Sequence, residues 1–201
     1  AAGGLVGEVV QIWKPKELNT FETEWGFSCM GYEISGALGM KMAKPDQEFI
    51  VFVGDGSYLL QNSDIYSSVI YDKKLIIVVC DNSGHMVINR LQLAKGGKEY
   101  LCNLKSARAS NFVEVDFAAH AKSMGAESET VTSTSELEAA FHRAKQSKKT
   151  YVISIKTHGY EWLEGTAFWE SPTLETPHST EENKTAYAQH LEGKNKQRKG
   201  V

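Results

Sequence analysis

The sequence predicts an α/β protein with a three-layer, doubly wound, mainly parallel sheet flanked by helices. Two observations lead to this prediction. Short apolar runs rich in β-branched residues alternate with longer amphipathic stretches through the middle of the chain. The runs are too short and too apolar to be surface helices, so we expect central strands. They lie at Phe49–Val53, Leu75–Cys80 and Tyr151–Ile155, with a weaker candidate at Ala126–Val131.

The stretches between these runs have the spacing and the end signals of helices. Pro45 favours an end to the first helix, because the residue before a proline is biased away from helical geometry. Asp116 is a suitable cap for the third. For the fourth helix, a capping box can form from Ser133 with Glu136 or from Ser135 with Glu138, and the sequence does not decide between them. The predicted helices cover Met30 to Lys44, Ser57 to about Tyr71, Asp116 through Ala121, and a start at Ser133 or Ser135 through about Lys145.

Composition limits both the domain organisation and the partners. The 201 residues carry 22 basic and 25 acidic side chains, a net charge of −3, which offers no broad basic field for nucleic acid or an anionic membrane. No apolar run approaches the roughly 18–20 residues that a membrane helix needs. We expect one domain over residues 1–170 and a polar tail over 171–201, in which Glu181 to Glu192 can form a surface helix. Lys95–Asn111 is expected to be a mobile loop.

The cysteines and the start of the chain suggest a cytoplasmic origin. Cys29, Cys80 and Cys102 are odd in number and widely spaced, which suits reduced, buried thiols rather than a disulfide framework. The first residues include neither an initiator Met nor the pattern of a secretion signal. We therefore expect a piece of a longer cytoplasmic polypeptide.

The most informative motif is Gly54-Asp55-Gly56-Ser57, where a predicted strand meets a helix. Glycines at the carboxyl end of a parallel strand let a phosphate approach backbone N–H groups. Asp55, however, would repel a bare phosphate at close range. A divalent cation between the two would remove this conflict.

Further oxygen ligands follow the next strand, in Asp81-Asn82-Ser83-Gly84. Neighbouring strand ends meet in a doubly wound sheet, so Asp55 and Asn82 can share one ion. A carboxylate, an amide carbonyl and the backbone carbonyl of Gly84 suit magnesium better than zinc. The alternative is that both motifs are only tight turns, with Asp55 capping a helix. The glycine spacing supports neither a Rossmann dehydrogenase nor a phosphate-loop nucleotide triphosphatase.

Together the two motifs resemble the magnesium and diphosphate motif of thiamine-diphosphate enzymes, in particular the carboxy-terminal cofactor domain of the acetolactate synthase and pyruvate decarboxylase group. The resemblance covers most of the chain and implies the thiamine-diphosphate-binding fold. It makes Asp55, Asn82 and Gly84 the magnesium ligands. The residues that it places at the diphosphate are Gly54, Gly56 and Ser57.

The upstream segment Phe27-Ser28-Cys29-Met30-Gly31 resembles the part of this family that holds the aminopyrimidine. By that resemblance Met30 is the wedge beneath the bent cofactor, and the backbones of Ser28 and Met30 bond the pyrimidine. An ordinary core role for Met30 is the alternative, because methionine fills irregular gaps readily. Asp81 departs from the pattern of the thiamine-diphosphate family, because many of its members carry a second asparagine at this position.

A narrower resemblance, through Trp25–Ile34, Gly54–Leu59 and Asp81–Gln92, is to the trihydroxycyclohexane-1,2-dione hydrolases of inositol breakdown. It implies hydrolytic opening of a cyclic diketone by carbon–carbon cleavage. Two alternatives stay open: an acetolactate synthase-like carboligase or decarboxylase of 2-keto acids, and a non-catalytic module that binds a phosphate ligand. Substrate contacts are expected in 95–111 and 159–169.

The resemblance also implies what the chain lacks. The activating glutamate of the family belongs to a separate pyrimidine-binding domain, and the active site lies between domains of two subunits. We therefore expect no catalytic residue here, a homodimer or homotetramer in the complete enzyme, and no turnover by this chain alone. His85 is the one histidine placed near the cofactor, with packing as the alternative. For Tyr160, Trp162, Phe168 and Trp169 the alternatives are an aromatic lid, an interface patch or ordinary packing.

Overall fold

The computed structural model describes residues 3–24, 26–106, 111–163 and 176–197. Within these ranges the chain forms helices on both faces of one sheet, as predicted. The elements in chain order are α1 (Gly4–Ile12), α2 (Tyr32–Ala43), β1 (Ile50–Gly54), α3 (Asp55–Leu60), α4 (Asp64–Ile70), β2 (Ile76–Asp81), α5 (Met86–Ala94), α6 (Phe117–Ser123), β3 (Glu127–Val131), α7 (Thr134–Gln146), β4 (Tyr151–Lys156) and α8 (Glu181–Lys196). Among the described helices, none is both long enough and apolar enough to cross a bilayer.

The sheet is parallel throughout its described part, with strand order β1-β2-β4-β3. Every predicted strand is confirmed, each within about one residue of its predicted ends. The register pairs Gly54 with Cys80 and Asp81 with Lys156, so the carboxyl ends of β1, β2 and β4 form one edge. The chain segments that carry the two motifs leave the sheet at this edge.

Alternation along the strands produces two apolar layers, one on each face of the sheet. Val53, Val79 and Val152 belong to a buried cluster that also includes residues of α2, α4 and α6. Ile76 and Ile153 belong to a second cluster, on the face covered by α7. The three-layer prediction is therefore confirmed.

One predicted helix is broken in two. The expected helix from Ser57 to about Tyr71 is interrupted between α3 and α4, where Gln61 adopts extended geometry at φ −152° and ψ 101°. Asn62 explains the break, because its Nδ2 donates a 3.0 Å hydrogen bond to the carbonyl of Tyr58 and so closes the end of α3. A short polar side chain here competes with the helical backbone. Helices α1 and α5 were not predicted.

The helix starts that were predicted from caps are confirmed. Asp116 accepts a 2.9 Å hydrogen bond from the N–H of Ala119 and begins α6. For α7 the structure selects Ser133, whose hydroxyl accepts from the N–H of Glu136, rather than Ser135. In the tail, α8 forms as expected, and Asn183 Nδ2 donates to the carbonyl of Lys95 at 3.0 Å. The boundary between domain and tail at 170 lies outside the described residues.

Candidate functional site

The two polar motifs meet at the carboxyl edge of the sheet. Asp55 begins α3 directly after β1 and is 2% exposed. Asn82 follows β2, and the backbone turns back sharply at Ser83 and Gly84, which have φ of 66° and 145°. The predicted contact between the two strand ends is present, because the backbone N–H groups of Gly84, Gly56 and Asn82 stabilise the Asp55 carboxylate.

The turn at Ser83 and Gly84 is fixed by hydrogen bonds on two sides. The N–H of Ser83 donates to Asp81 Oδ1 at 2.9 Å. The segment around Cys102 pairs with the turn, because His85 N donates to the Cys102 carbonyl at 2.8 Å and Leu104 N donates to the Ser83 carbonyl at 2.9 Å. The described part of the expected loop 95–111 is thus attached to the site.

Three polar groups converge at this edge, from Asp55, Asn82 and Gly84. One end of the Asn82 side-chain amide lies 3.2 Å from Asp55 Oδ1 and 2.9 Å from the carbonyl oxygen of Gly84. With the amide nitrogen at this end, Asn82 donates a hydrogen bond to both oxygens. With the amide oxygen there, three oxygens face one another, which is unfavourable unless a cation lies between them. This donor set fits a hard divalent cation such as Mg²⁺.

Burial in an apolar setting leaves Asp55 poorly suited to carry its charge alone. Burial, followed by the repulsion of Asp81, raises the pKa of Asp55 from 3.8 to about 6, against the opposing effect of the nearby backbone N–H groups. A bound divalent cation would reverse this balance, because it favours the ionised carboxylate. The raised pKa of Asp55 and the arrangement of the oxygens therefore both favour a bound cation at this position.

The raised pKa of Asp55 predicts that cation-free protein loses stability as pH rises from about 4 to about 6. In this window the folded state keeps a proton that the unfolded chain has released, so rising pH favours unfolding. The difference amounts to about 3 kcal/mol at neutral pH. Asp55→Asn should remove this component, measured as the difference between the two proteins in urea unfolding at pH 4 and pH 7. Equal pH slopes would contradict the prediction.

A cavity of about 670 Å³ opens from this edge, within the size range of cofactor pockets. Apolar side chains of α1 and α2 form much of its wall. The predicted site residues that line it are Met30, Gly54, Asp55, Gly56, Ser57, Asn82 and Gly84. Ser28 is exposed, at φ 50°, and is not part of the described lining. The assigned roles of all these residues remain predictions.

His85 packs directly against the Gly-Asp-Gly turn. A methyl group added to Gly56 would lie 2.7 Å from Cε1 and Nδ1 of the His85 ring, and 3.5 Å from Cε of Met30. Only glycine leaves this space open. His85, Met30 and Gly56 therefore form one wall of the cavity.

Glu24 is a site residue that the sequence analysis missed. Its carboxylate accepts hydrogen bonds from the N–H of Phe27 at 2.7 Å and of Cys29 at 2.8 Å, and these bonds lower its pKa. Glu24 thereby shapes the segment that leads to Met30. The available signal was an acidic residue shortly before a glycine-containing turn, which is weak because it is common.

The two segments expected to contact substrate are joined to each other. Tyr160 donates a hydrogen bond to Glu99, and Asn103 Nδ2 donates to the Tyr160 hydroxyl at 2.7 Å. The guanidinium of Arg90 lies 4.6 Å from the ring centre of Trp162. Phe168 and Trp169 lie outside the described residues.

The cysteines depart in part from expectation. In the described parts of the chain all three are free thiols, as predicted, but Cys29 is exposed and only Cys80 and Cys102 are partly buried. The prediction of buried thiols is therefore wrong for Cys29. Cys29 lies in the turn whose backbone N–H groups donate to Glu24, rather than in a strand or helix of the core.

Comparison with known proteins assigns the family. Residues 1–155 match the family model described as "Thiamine pyrophosphate enzyme, C-terminal TPP binding domain", where TPP is thiamine diphosphate. The chain belongs to this family of TPP-binding domains. The prediction of a thiamine-diphosphate-binding domain is therefore confirmed.

Relatives extend the similarity. The 3D-(3,5/4)-trihydroxycyclohexane-1,2-dione hydrolase of Halalkalibacterium halodurans is 40% identical over 167 residues, which are 80% of this chain and 26% of that protein. The hydrolase of the same name from Listeria monocytogenes is 37% identical over 188 residues, 93% of this chain and 29% of its own length. The chain thus spans about a quarter of the length of these relatives.

A solved structure supports the fold. The thiamine diphosphate-dependent 4-hydroxybenzoylformate decarboxylase of Rhodococcus jostii RHA1 superimposes with a TM-score of 0.54. The match has 20% sequence identity and covers 64% of this chain and 23% of the decarboxylase. At this identity the likeness concerns the fold alone.

Proposed function

We propose that this TPP-binding domain holds thiamine diphosphate through one Mg²⁺ ion. The observation that carries the proposal is the convergence of the Asn82 amide, Asp55 Oδ1 and the Gly84 carbonyl within 3.2 Å. The Asp55 carboxylate, the Asn82 amide oxygen and the Gly84 carbonyl are the protein ligands of the ion. The diphosphate and water complete its coordination.

The remaining predicted residues shape the cavity around the cofactor. Gly56 and Ser57 offer backbone N–H groups to the diphosphate, and Gly54 lets it approach the strand end. Met30, held against Gly56 and preceded by the Glu24-bonded turn, supports the bend of the cofactor, while the backbones of Ser28 and Met30 bond its pyrimidine ring. When bound there, thiamine diphosphate would supply a carbon nucleophile and an electron sink for cleavage of a bond next to a carbonyl.

We further propose that the complete enzyme cleaves a carbon–carbon bond next to a carbonyl, by hydrolytic ring opening of trihydroxycyclohexane-1,2-dione in inositol breakdown. The support is the shared name of relatives that are 37–40% identical over most of this chain. The competing hypothesis is an acetolactate synthase-like reaction on 2-keto acids, and a turnover assay with the cyclic dione and with pyruvate distinguishes the two.

The chain alone is proposed to be inactive. The partner that it needs is the pyrimidine-binding domain with the activating glutamate, in a cytoplasmic homodimer or homotetramer. The fraction of the relatives that the chain spans supports this view. The free thiols among the described residues suit a reducing compartment.

Calorimetry and a turnover assay on the full-length protein test the proposal. Thiamine diphosphate should bind in the presence of MgCl₂, and EDTA should abolish this binding. The loaded enzyme should consume the cyclic 1,2-dione and not pyruvate. Consumption of pyruvate alone would refute the hydrolase assignment, and metal-independent binding would refute the magnesium site.

A further inference from the structure

An ion pair between a buried carboxylate and a half-exposed lysine lies next to the candidate metal ligands. Asp81 and Lys156 are register partners at the ends of β2 and β4. Lys156 Nζ lies 2.5 Å from Asp81 Oδ2, and the Asp81 side chain is only 5% exposed, whereas that of Lys156 is 47% exposed. Lys156 also forms an ion pair with the exposed Glu114.

The remaining oxygens of Asp81 are already engaged. Oδ1 accepts from the N–H of Ser83 at 2.9 Å, and the backbone carbonyl accepts from the N–H of Thr157 at 2.8 Å. The turn that places Asn82 and Gly84 is thus held by a bond that does not involve Lys156. What Lys156 adds is positive charge, and among the described residues it is the one cation in contact with Asp81.

The charges at this edge explain why that cation matters. Asp55 and Asp81 bring two negative charges to this edge, and of the two only Asp55 is among the proposed ligands of the ion. A diphosphate then adds further negative charge close to both carboxylates. Without Lys156 this approach would meet an uncompensated, buried carboxylate, and repulsion between charges in a poorly screened site is large.

We propose that Lys156 is a positioning residue for the cofactor site, because it cancels the charge of Asp81 so that a diphosphate can bind beside two carboxylates. The proposal rests on the proposed function. It states that Asp81 with Lys156 is electrostatically equivalent to a neutral residue at position 81. Removing the charge of Asp81 should therefore make Lys156 dispensable.

The test compares Lys156→Met, Asp81→Asn and the double variant in the full-length protein. At saturating Mn²⁺, Lys156→Met should weaken thiamine diphosphate binding about tenfold or more. Binding of Mn²⁺ alone, followed by electron paramagnetic resonance, should be unchanged or tighter, because the extra negative charge attracts the cation. If Lys156→Met instead disrupted the turn at Ser83 and Gly84, the binding of Mn²⁺ and of thiamine diphosphate would both weaken, which would contradict the proposal.

Asp81→Asn should bind the cofactor like the wild type, and the double variant should match Asp81→Asn rather than Lys156→Met. Glu114→Gln removes the exposed partner of Lys156 and serves as the matched control, with no expected change. Cofactor affinity of Lys156→Met equal to wild type, or failure of Asp81→Asn to rescue it, would overturn the inference. Failure of the wild type to bind thiamine diphosphate would instead overturn the proposed function, and the inference with it.

Discussion

Replacing Asp55 with asparagine is expected to abolish magnesium-dependent binding of thiamine diphosphate, with a loss of affinity of about 100-fold or more. Asp55 is the one carboxylate among the three proposed ligands, and an amide cannot supply its charge. The same change should stabilise the cation-free protein at neutral pH, because the buried carboxyl has a pKa raised to about 6. Calorimetry and urea unfolding measure the two effects.

A variant that loses cofactor affinity and gains stability identifies Asp55 as a functional residue, because replacing a structural residue would lower stability as well. Asp72→Asn is the matched control, because Asp72 lies in an exposed turn before β2, at the opposite end of the sheet, and at φ 50° tolerates asparagine. It removes the same charge and should leave cofactor binding unchanged. If Asp55→Asn retained cofactor binding, Asp55 would be only a structural turn residue.

The second large effect is expected for Gly84→Ala, with a loss of about 3 kcal/mol or more in the free energy of unfolding. A methyl group at Gly84 would lie 2.2 Å from the carbonyl oxygen of Cys102, a backbone atom that cannot rotate away. The φ of 145° adds strain for any residue with a side chain. Thermal or urea unfolding of the cation-free protein measures this loss.

Gly39→Ala provides the comparison for that variant. Gly39 is an exposed residue of α2, and a methyl group there meets no atom within 4 Å. Alanine should therefore raise stability by about 0.5–1 kcal/mol through helix propensity. A Gly84→Ala protein as stable as the wild type would mean that the segment around Cys102 does not hold the turn.

The strands and the motif positions were predictable because they follow from local rules. Three apolar runs with β-branched residues were too short and too apolar for surface helices and so indicated buried strands, and polar residues directly after them were expected at the carboxyl edge. That reasoning brought Asp55 and Asn82 together without knowledge of the structure. Asp116 was likewise predictable, because a cap needs only its own side chain and the next turn, whereas the choice between Ser133 and Ser135 was left open by the sequence.

Features that depend on a side chain competing with the helical backbone, or on contacts between residues distant in sequence, were not predictable. The break at Asn62 arises because one side chain competes with an otherwise continuous helix pattern. Lys156 contacts Asp81, a partner that only the folded chain brings close. The pairing of Cys102 with the Ser83–Gly84 turn is of the same kind, since nothing in either segment specifies the other.

The most direct test of the metal site is anomalous diffraction from crystals of the full-length protein grown with thiamine diphosphate and Mn²⁺ in place of Mg²⁺. The proposed metal site predicts one anomalous peak about 2.0–2.4 Å from Asp55 Oδ1, the Asn82 amide oxygen and the Gly84 carbonyl. A peak elsewhere, with the Asn82 nitrogen still donating to Asp55 and Gly84, would contradict it.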